Sequence, residues 1–316
     1  MIVVMGATTE EMVAWVYREL ESRGAPVSLI ETKDIPSRVT FEVSLPGPTG
    51  FLELADGKRI NLEDIQSVYT RVGFTDYSNG EDYSRDEVSF VNSQCHATFN
   101  TLLNELPALV VNRPVSSNSN GSKPHQAALI SAFGFRTPET LVTNDPALAL
   151  EFYELHHGNL IYKSVSYIRS IVQRMTEGDF ERLEYIPNCP VQLQECIQGF
   201  DVRVHVISDR AVFASRIRAE KSDYRYDKST RITPYDLPDE VAQRCVDVTR
   251  ALGLNFSGID LRCTPEGEYV CFEVNPCPAY AYYEKRSGQP ITATLCDYLL
   301  SRATPATRSF EQLAAA

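Results

Sequence analysis

FSGIDLRCTPEGEYVCFEVNP, residues 256–276, reads as a strand, a bend at Pro265-Glu266-Gly267 and a returning strand. Side chains two apart on a strand share a face, so Glu273 and Asn275 project together, and the hairpin brings Asp260 alongside from the partner strand. Two carboxylates and a carboxamide oxygen make a hard, oxygen-only cluster. It suits Mg²⁺ that also binds phosphate oxygens, because Mg²⁺ takes few protein ligands and keeps water. The flanking Ile259, Leu261, Phe272 and Val274 are apolar. An isolated Glu-x-Asn is ordinarily the solvated face of a half-buried strand. The facing Asp260, and the Asn-Pro that follows a hairpin entered from LGLNFSG (252–258), shift the reading to a metal site.

Outward from this ribbon, the chain has 316 residues, with 42 acidic against 30 basic side chains and a formal charge of −12. That length allows two domains or one lobed domain. An acidic body argues against a nucleic-acid partner, which needs a dense basic surface, but leaves room for a local basic pocket. No apolar run approaches the roughly 18 residues of a membrane span. The opening MIVVMGATTEEMVAW lacks the basic and long apolar regions of a signal peptide, so a cytoplasmic protein with no membrane partner is expected. Eight cysteines, none in C-x-x-C spacing, and five scattered histidines do not make a structural zinc site and read as reduced thiols. Cys277 lies beside the metal cluster, but no histidine stands near it in sequence to activate a nucleophile.

IVVM (2–5), a helix from Thr9 to Arg23 with Met12, Val13, Val16 and Leu20 on one face, and VSLIE (27–31) form a β-α-β opening, which favours a parallel sheet. Residues 39–45 and 50–64 read as antiparallel strands with a turn at Asp56-Gly57. SVYTRVGF (67–74), a long helix from Ser84 to Leu106 and LVVN (109–112) complete this part. The polar stretch 113–126 marks a boundary. A helix over 124–133, the strand TLVT, a helix capped by Asn144 or Asp145 before Pro146, and the strand 159–165 make a smaller lobe. Strands VQLQECI, VRVHVIS and AVFASRIR, a helix Leu237–Leu252, the ribbon itself and a closing helix Ile291–Ser301 make the last lobe. The tyrosines 280, 282 and 283 are expected to pack a loop after the ribbon, with lining of the acceptor site as the alternative, and the tail 303–316 to fray.

DVRVHVISDRAVFASRIRAEKSDYRYD (201–227), GIDLR (258–262) and FEVNPCP (272–278) resemble the ATP-grasp ligases that add glutamate to peptide termini. SVYTRVGF, SKPHQ (122–126), TPETLVTNDP (137–146) and TPYDLPDE (233–240) resemble more closely the graspetide synthetases, the microviridin-type ester and amide ligases. The resemblance implies an α/β (α+β lobes) ATP-grasp fold behind a pre-ATP-grasp N-terminal α/β domain. The divisions expected are 1–112, a central lobe 113–192, a C-terminal lobe 193–302 carrying the metal site, and the tail.

By the same resemblance, ATP lies between two antiparallel lobes with Lys123 and Lys163 on its phosphates. A charge inside the apolar strand around Lys163 needs such a partner. Gln194, Glu195, Cys196 and Ile197 form the hinge on adenine, with the main chains of Glu195 and Ile197 on the base and Asp201 towards the ribose or the lid. Asp260, Glu273 and Asn275 hold Mg²⁺, two ions in this family, with Mn²⁺ as a substitute. Arg218 faces the γ-phosphate or an acyl phosphate, Arg216 the acceptor carboxylate, and Arg203 shares their sheet. Three arginines on one sheet of an acidic chain suggest an anion site; cross-strand pairing with Asp or Glu is the plainer alternative. The chain departs from the wider family at SVSYIRSIV (164–172), which has no glycine. Either Ser164, Ser166, Ser170 and Arg169 hold the phosphates there, or the stretch is a β-hairpin with a solvated arginine.

The expected chemistry is carboxylate activation. ATP phosphorylates a carboxylate, and an amine or hydroxyl then displaces phosphate, with the protein supplying position and charge rather than a nucleophile. The implied substrate is a precursor peptide with a leader sequence, engaged through the N-terminal domain and the segment 165–190; a homodimer is also implied. The alternatives are a ligase of amino acids or small acids, a kinase, and a non-catalytic nucleotide-binding regulator.

Overall fold

The computed structural model describes residues 1–71, 76–77, 83–121, 123–165, 172–218 and 230–301. The N-terminal part runs β1 (Ile2–Gly6), α1 (Glu11–Ser22), β2 (Val27–Glu31), β3 (Thr40–Ser44), β4 (Thr49–Glu53), β5 (Arg59–Asn61), β6 (Ser67–Thr70), α2 (Arg85–Glu105) and β7 (Leu109–Val111). Its main sheet, in order β2-β1-β6-β7, is parallel, and β3-β4-β5 forms a separate antiparallel sheet. Ser84 starts α2 with a reciprocal cap: its hydroxyl accepts from the Glu87 N–H while its own N–H donates to the Glu87 carboxylate. One face of the parallel sheet buries Val3, Met5, Ile30 and Val68 against Phe99, Leu102 and Leu103 of α2.

A short α3 (Pro114–Ser117) leads into α4 (Lys123–Ala132). The central part comprises β8 (Thr140–Thr143), α5 (Pro146–Leu155), β9 (Leu160–Lys163), β10 (Gln173–Arg174), a 3₁₀ helix over Glu177–Asn188 and β11 (Val191–Glu195). Its antiparallel sheet has the order β10-β9-β11-β8. Asp145 caps α5 by accepting from the Ala147 N–H at 2.8 Å. Within the segment 165–190, the described residues thus form a short strand and the 3₁₀ helix.

The last part contains β12 (Phe200–Ile207), β13 (Ala211–Arg218), β14 (Arg231–Pro234), α6 (Asp239–Ala251), β15 (Phe256–Cys263), β16 (Tyr269–Asn275), α7 (Ala281–Ser287) and α8 (Ile291–Leu300). Its sheet is antiparallel, in order β14-β13-β12-β15-β16. Alternation decides its two faces. Val202, Val204, Val206, Ile259, Leu261 and Val274 pack against α6 and against Ile130 and Phe135. The α4 residue Ile130 therefore buries in this core, although its helix was read as the start of the central lobe. On the opposite face lie Asp201, Arg203, His205, Asp260 and Glu273.

The tyrosine-rich stretch after the ribbon is helix α7 rather than a loop. It ends at Gly288, whose φ of +73° suits a residue without a Cβ. Tyr280 and Tyr283 are buried, so these rings pack as expected. α8 lies between the last sheet and the N-terminal domain: Leu295 and Leu299 share one cluster with Ile2, Val4, Val16, Ile207 and Phe256. Among the described residues no helix is long and apolar enough to cross a membrane. All eight cysteines are unpaired thiols.

Candidate active site

The ribbon places its three oxygen ligands on one face, as the sequence pattern demands. Asp260 stands directly opposite Glu273, and Gly258 opposite Asn275. A bulge leaves Phe272 without a partner, so Glu273 returns to the face of Asp260 after Cys271 has faced the core. The Asp260 Oδ1 accepts from Arg203 Nη1 at 2.7 Å, and Asn275 Oδ1 accepts from the Cys277 N–H at 2.9 Å. Gly258 makes room for the arginine. A Cβ there would lie 2.1 Å from Arg203 Nη2 and 2.6 Å from the Pro278 Cβ. Arg203 is buried and its Nε donates to His205 Nε2 at 3.5 Å. Burial, then the arginine's charge, holds the His205 pKa well below 6.5, so the imidazole is a neutral acceptor. Among the described residues no group of three His, Cys, Asp or Glu is placed to hold a metal. A cation here would therefore rely on the Asn275 carboxamide and on phosphate or water oxygens beside the two carboxylates, which is the donor set Mg²⁺ accepts.

Both lysines come to this cluster. Lys163, at the end of β9, is pushed down to about 8, first by burial and next by the charge of Lys123; Glu273 pulls the other way. Lys163 thus lies in the fields of both Lys123 and Glu273, although 40 and 110 residues separate it from them in the chain. Lys123 is the first residue of α4, whose leading N–H groups add to the positive field. An apolar hollow of about 450 Å³ opens beside Lys163, lined by Tyr162, Met175, Leu183, Ile186 and Leu193. A second hollow, about 500 Å³ between α1 and α8, contains none of these residues.

The hinge is held by arginines. The Glu195 carboxylate pairs with Arg136 at 2.5 Å, and Arg136 reaches Glu268 at 3.0 Å. The N–H groups of Glu195 and Cys196 donate to Glu139 O and Asn159 O. Gln194 is buried. The Ile197 carbonyl accepts from Arg262 Nη1 at 2.9 Å, so Ile197 can offer a base its N–H but not, without rearrangement, its carbonyl. Asp201, expected towards the ribose or the lid, is instead held by that same arginine: Arg262 Nε and Nη2 lie 2.8 and 2.7 Å from its Oδ1. Its pKa is nevertheless raised, because burial outweighs Arg262 and Asp260 adds repulsion.

The three arginines expected at the reacting phosphate and carboxylate do not converge. Arg203 pairs across the strands with Asp260. Arg216 stands opposite Val202, on the face that α6 covers, and its guanidinium lies 3.8 Å from the Phe200 ring centre. Its Nε is buried with no hydrogen-bond partner among the described residues. Strand alternation thus turns Arg216 away from Asp260, against its expected place at the acceptor carboxylate. Arg218 shares that side at the exposed end of β13. Arg169, with Ser166 and Ser170, lies outside the described residues.

Two positioning residues escaped the sequence reading. Asn112, buried at the end of β7, donates to Phe256 O and Pro276 O, both at 2.6 Å, and accepts from the Asn255 and Phe256 N–H groups. It pins both ends of the ribbon. Arg71 bonds Glu10 and the Pro278 carbonyl, at 2.8 and 3.1 Å, and so ties the first sheet to the loop after the ribbon. The only local signals were a polar residue closing an apolar strand, LVVN, and an arginine after SVYT. The thiol of Cys277 beside Arg71 is pushed up by burial, contrary to what a nucleophile needs.

A family model described as "RimK-like ATP-grasp domain" matches residues 184–299. Among solved structures, the "ATP-grasp ligase PsnB complexed with minimal precursor" is 28% identical, with a TM-score of 0.83 over 96% of this chain and 99% of that one. The macrocyclase MdnC of Microcystis aeruginosa MRC, bound with precursor peptide MdnA, has a TM-score of 0.80 at 20% identity over 95% of this chain and 99% of that one, a likeness of fold. A "Probable alpha-L-glutamate ligase" of Haemophilus influenzae is 34% identical over 31% of this chain and 33% of its own length. The match spans about a third of the first such relatives.

Proposed function

We propose that this chain, which carries the ATP-grasp fold and a RimK-like ATP-grasp domain, is an ATP-dependent ligase joining a carboxylate to an amine or hydroxyl through an acyl phosphate. The observation that carries the reading is the convergence of Lys163, Lys123 and Glu273, with Asp260 opposite Glu273. Two cations and two carboxylates gathered about Lys163 can neutralise a triphosphate with its counter-ion, as phosphoryl transfer requires.

The chain's own residues act by position. Lys163 and Lys123 take phosphate oxygens, and burial of Lys163 strengthens its field. The Ile197 N–H and the hinge hold the base. Arg203 fixes one oxygen of Asp260, so the other is aimed at the cation. Arg218 starts on the side away from Asp260, but it stands at the exposed end of β13, from which its long side chain is the proposed contact to the transferred phosphate. Asp260, Glu273 and Asn275 would hold one or two Mg²⁺, which would supply charge neutralisation at the phosphates; a relative's structure contains Mg and ADP. No side chain near the ribbon is poised as a nucleophile among the described residues, which fits displacement from an acyl phosphate.

The substrate we infer is a precursor peptide, with an Asp or Glu side chain joined to Ser, Thr or Lys within it. PsnB, similar over almost the whole chain, was solved with a minimal precursor and with precursor peptide PsnA2. The apolar hollow by the 3₁₀ helix, rimmed by Asp179, Arg182 and the exposed Tyr185, is the proposed seat of its leader. A cytoplasmic homodimer is part of the same reading. The second reading, ligation of free amino acids, is favoured by the glutamate-ligase relatives. Incubation with ATP and Mg²⁺ separates them. ADP release that needs the peptide, with loss of one water per bond formed, supports the first; release with free amino acids alone supports the second. Silence with both overturns the ligase reading.

A further inference from the structure

β16 is the outer strand of its sheet, so the backbone groups facing away from β15 have no neighbouring strand to bond. At Val274, between the two ligands Glu273 and Asn275, both such groups are nonetheless satisfied. The Val274 N–H donates to Gln126 Oε1 at 3.0 Å, and Gln126 Nε2 donates to the Val274 carbonyl at 2.8 Å. The carboxamide takes the place of a residue in a missing strand. Gln126 is 2% exposed, so water does not compete for either bond. Further along the same edge, the Arg136 carbonyl accepts from the Cys271 N–H.

Gln126 lies one helical turn after Lys123 in α4, and positions three apart share a helix face. One rigid turn therefore links the phosphate lysine to the strand that bears two of the three oxygen ligands. We propose that Gln126 is a positioning residue that sets the register between Lys123 and the pair Glu273 and Asn275. This rests on the reading of that pair as ligands of a nucleotide's cation. A residue that could not both donate and accept would leave one main-chain group of Val274 unpaired, and the ribbon would shift where two of its ligands emerge.

The test uses the whole chain with Gln126→Met, which keeps length without either bond, and Gln126→Glu, which can accept from Val274 but not donate as a carboxylate. The rise in unfolding temperature caused by ADP is measured with Mg²⁺ and with EDTA, beside the Mg²⁺ concentration that half-saturates ADP release. We expect both variants to need about tenfold more Mg²⁺ and to lose most of the Mg²⁺-dependent rise while keeping the rise seen with EDTA. Folded variants with unchanged Mg²⁺ dependence overturn the proposal. So does a uniform loss of both rises, which would mark a merely structural role. If the variants do not fold, amide exchange in the unaltered chain decides. A Val274 amide protected, and further slowed by Mg²⁺ with ADP, supports the proposal; one exchanging like an open strand edge, or indifferent to the metal, overturns it. If the unaltered chain shows no response to Mg²⁺ and ADP at all, the functional reading has failed, and this proposal with it by a separately visible route.

Discussion

Asp260 faces two cations at once, the buried guanidinium of Arg203 and, on the proposed reading, a metal ion. Replacing Asp260 or Glu273 by alanine should lower ADP release by about 10²-fold or more while a cooperative thermal transition persists. Lys163→Met should cost a similar factor in kcat/KM, read from the same assay. His205 carries a different prediction. Its folded pKa is below 6.5, so the unfolded chain takes up the proton first. The stability that the neutral ring contributes is full above 6.5 and is lost as pH falls below it. Denaturant midpoints taken from about pH 7.5 to about pH 5.5 should decline more steeply in the native chain than in His205→Gln, which keeps an acceptor for Arg203 without titrating. An equal slope in both would exclude His205 as the source.

At the scale of elements, the ribbon depends on a residue with no side chain. Gly258→Ala would set a Cβ against both Arg203 and Pro278, and overpacking of this kind costs about 1–3 kcal/mol. The melting temperature should fall, and ADP release with it, because Arg203 would leave Asp260. Arg262→Leu should raise the KM for ATP more than it lowers kcat, since Arg262 holds the Ile197 carbonyl of the hinge. The ribbon itself was legible in the sequence because a period of two and a Pro-Glu-Gly bend are local signals; they put Glu273 and Asn275 on one face, whereas bringing Asp260 opposite Glu273 also needs the bulge at Phe272. What Asp201 and Arg216 do was not legible. Asp201 meets Arg262 across a register set by two strands 61 residues apart. Arg216 is turned from the site by a parity fixed only when β13 pairs with β12. Asn112 and Gln126 bond main chains more than 140 residues away, and no spacing rule reaches that far. The bulge at Phe272 was equally hidden. It sets the Phe272 ring 5.3 Å from the Arg262 guanidinium and reverses the parity of the strand, so that Cys271 faces the core and Glu273 the site.

For the whole molecule, Asn112 is the seam between the first sheet and the last. Asn112→Ala would strand several buried main-chain groups, at about 1–3 kcal/mol for each, so chemical denaturation should show a loss larger than a typical surface substitution, and ADP release should drop with it. The same seam has a mechanical meaning. The first and last parts share one apolar cluster through α8, whereas the central part keeps a cluster of its own built from Ala149, Leu160, Met175, Leu183 and Leu193. Two of these three parts therefore behave as a single anvil. On the proposed reading, any widening of the nucleotide cleft would fall to the third, swinging on the crossings at 136–139 and 196–199, so the segment proposed to grip the base would also be the pivot of the jaw. Loosening it would quicken the exchange of spent nucleotide as well as weaken its grip.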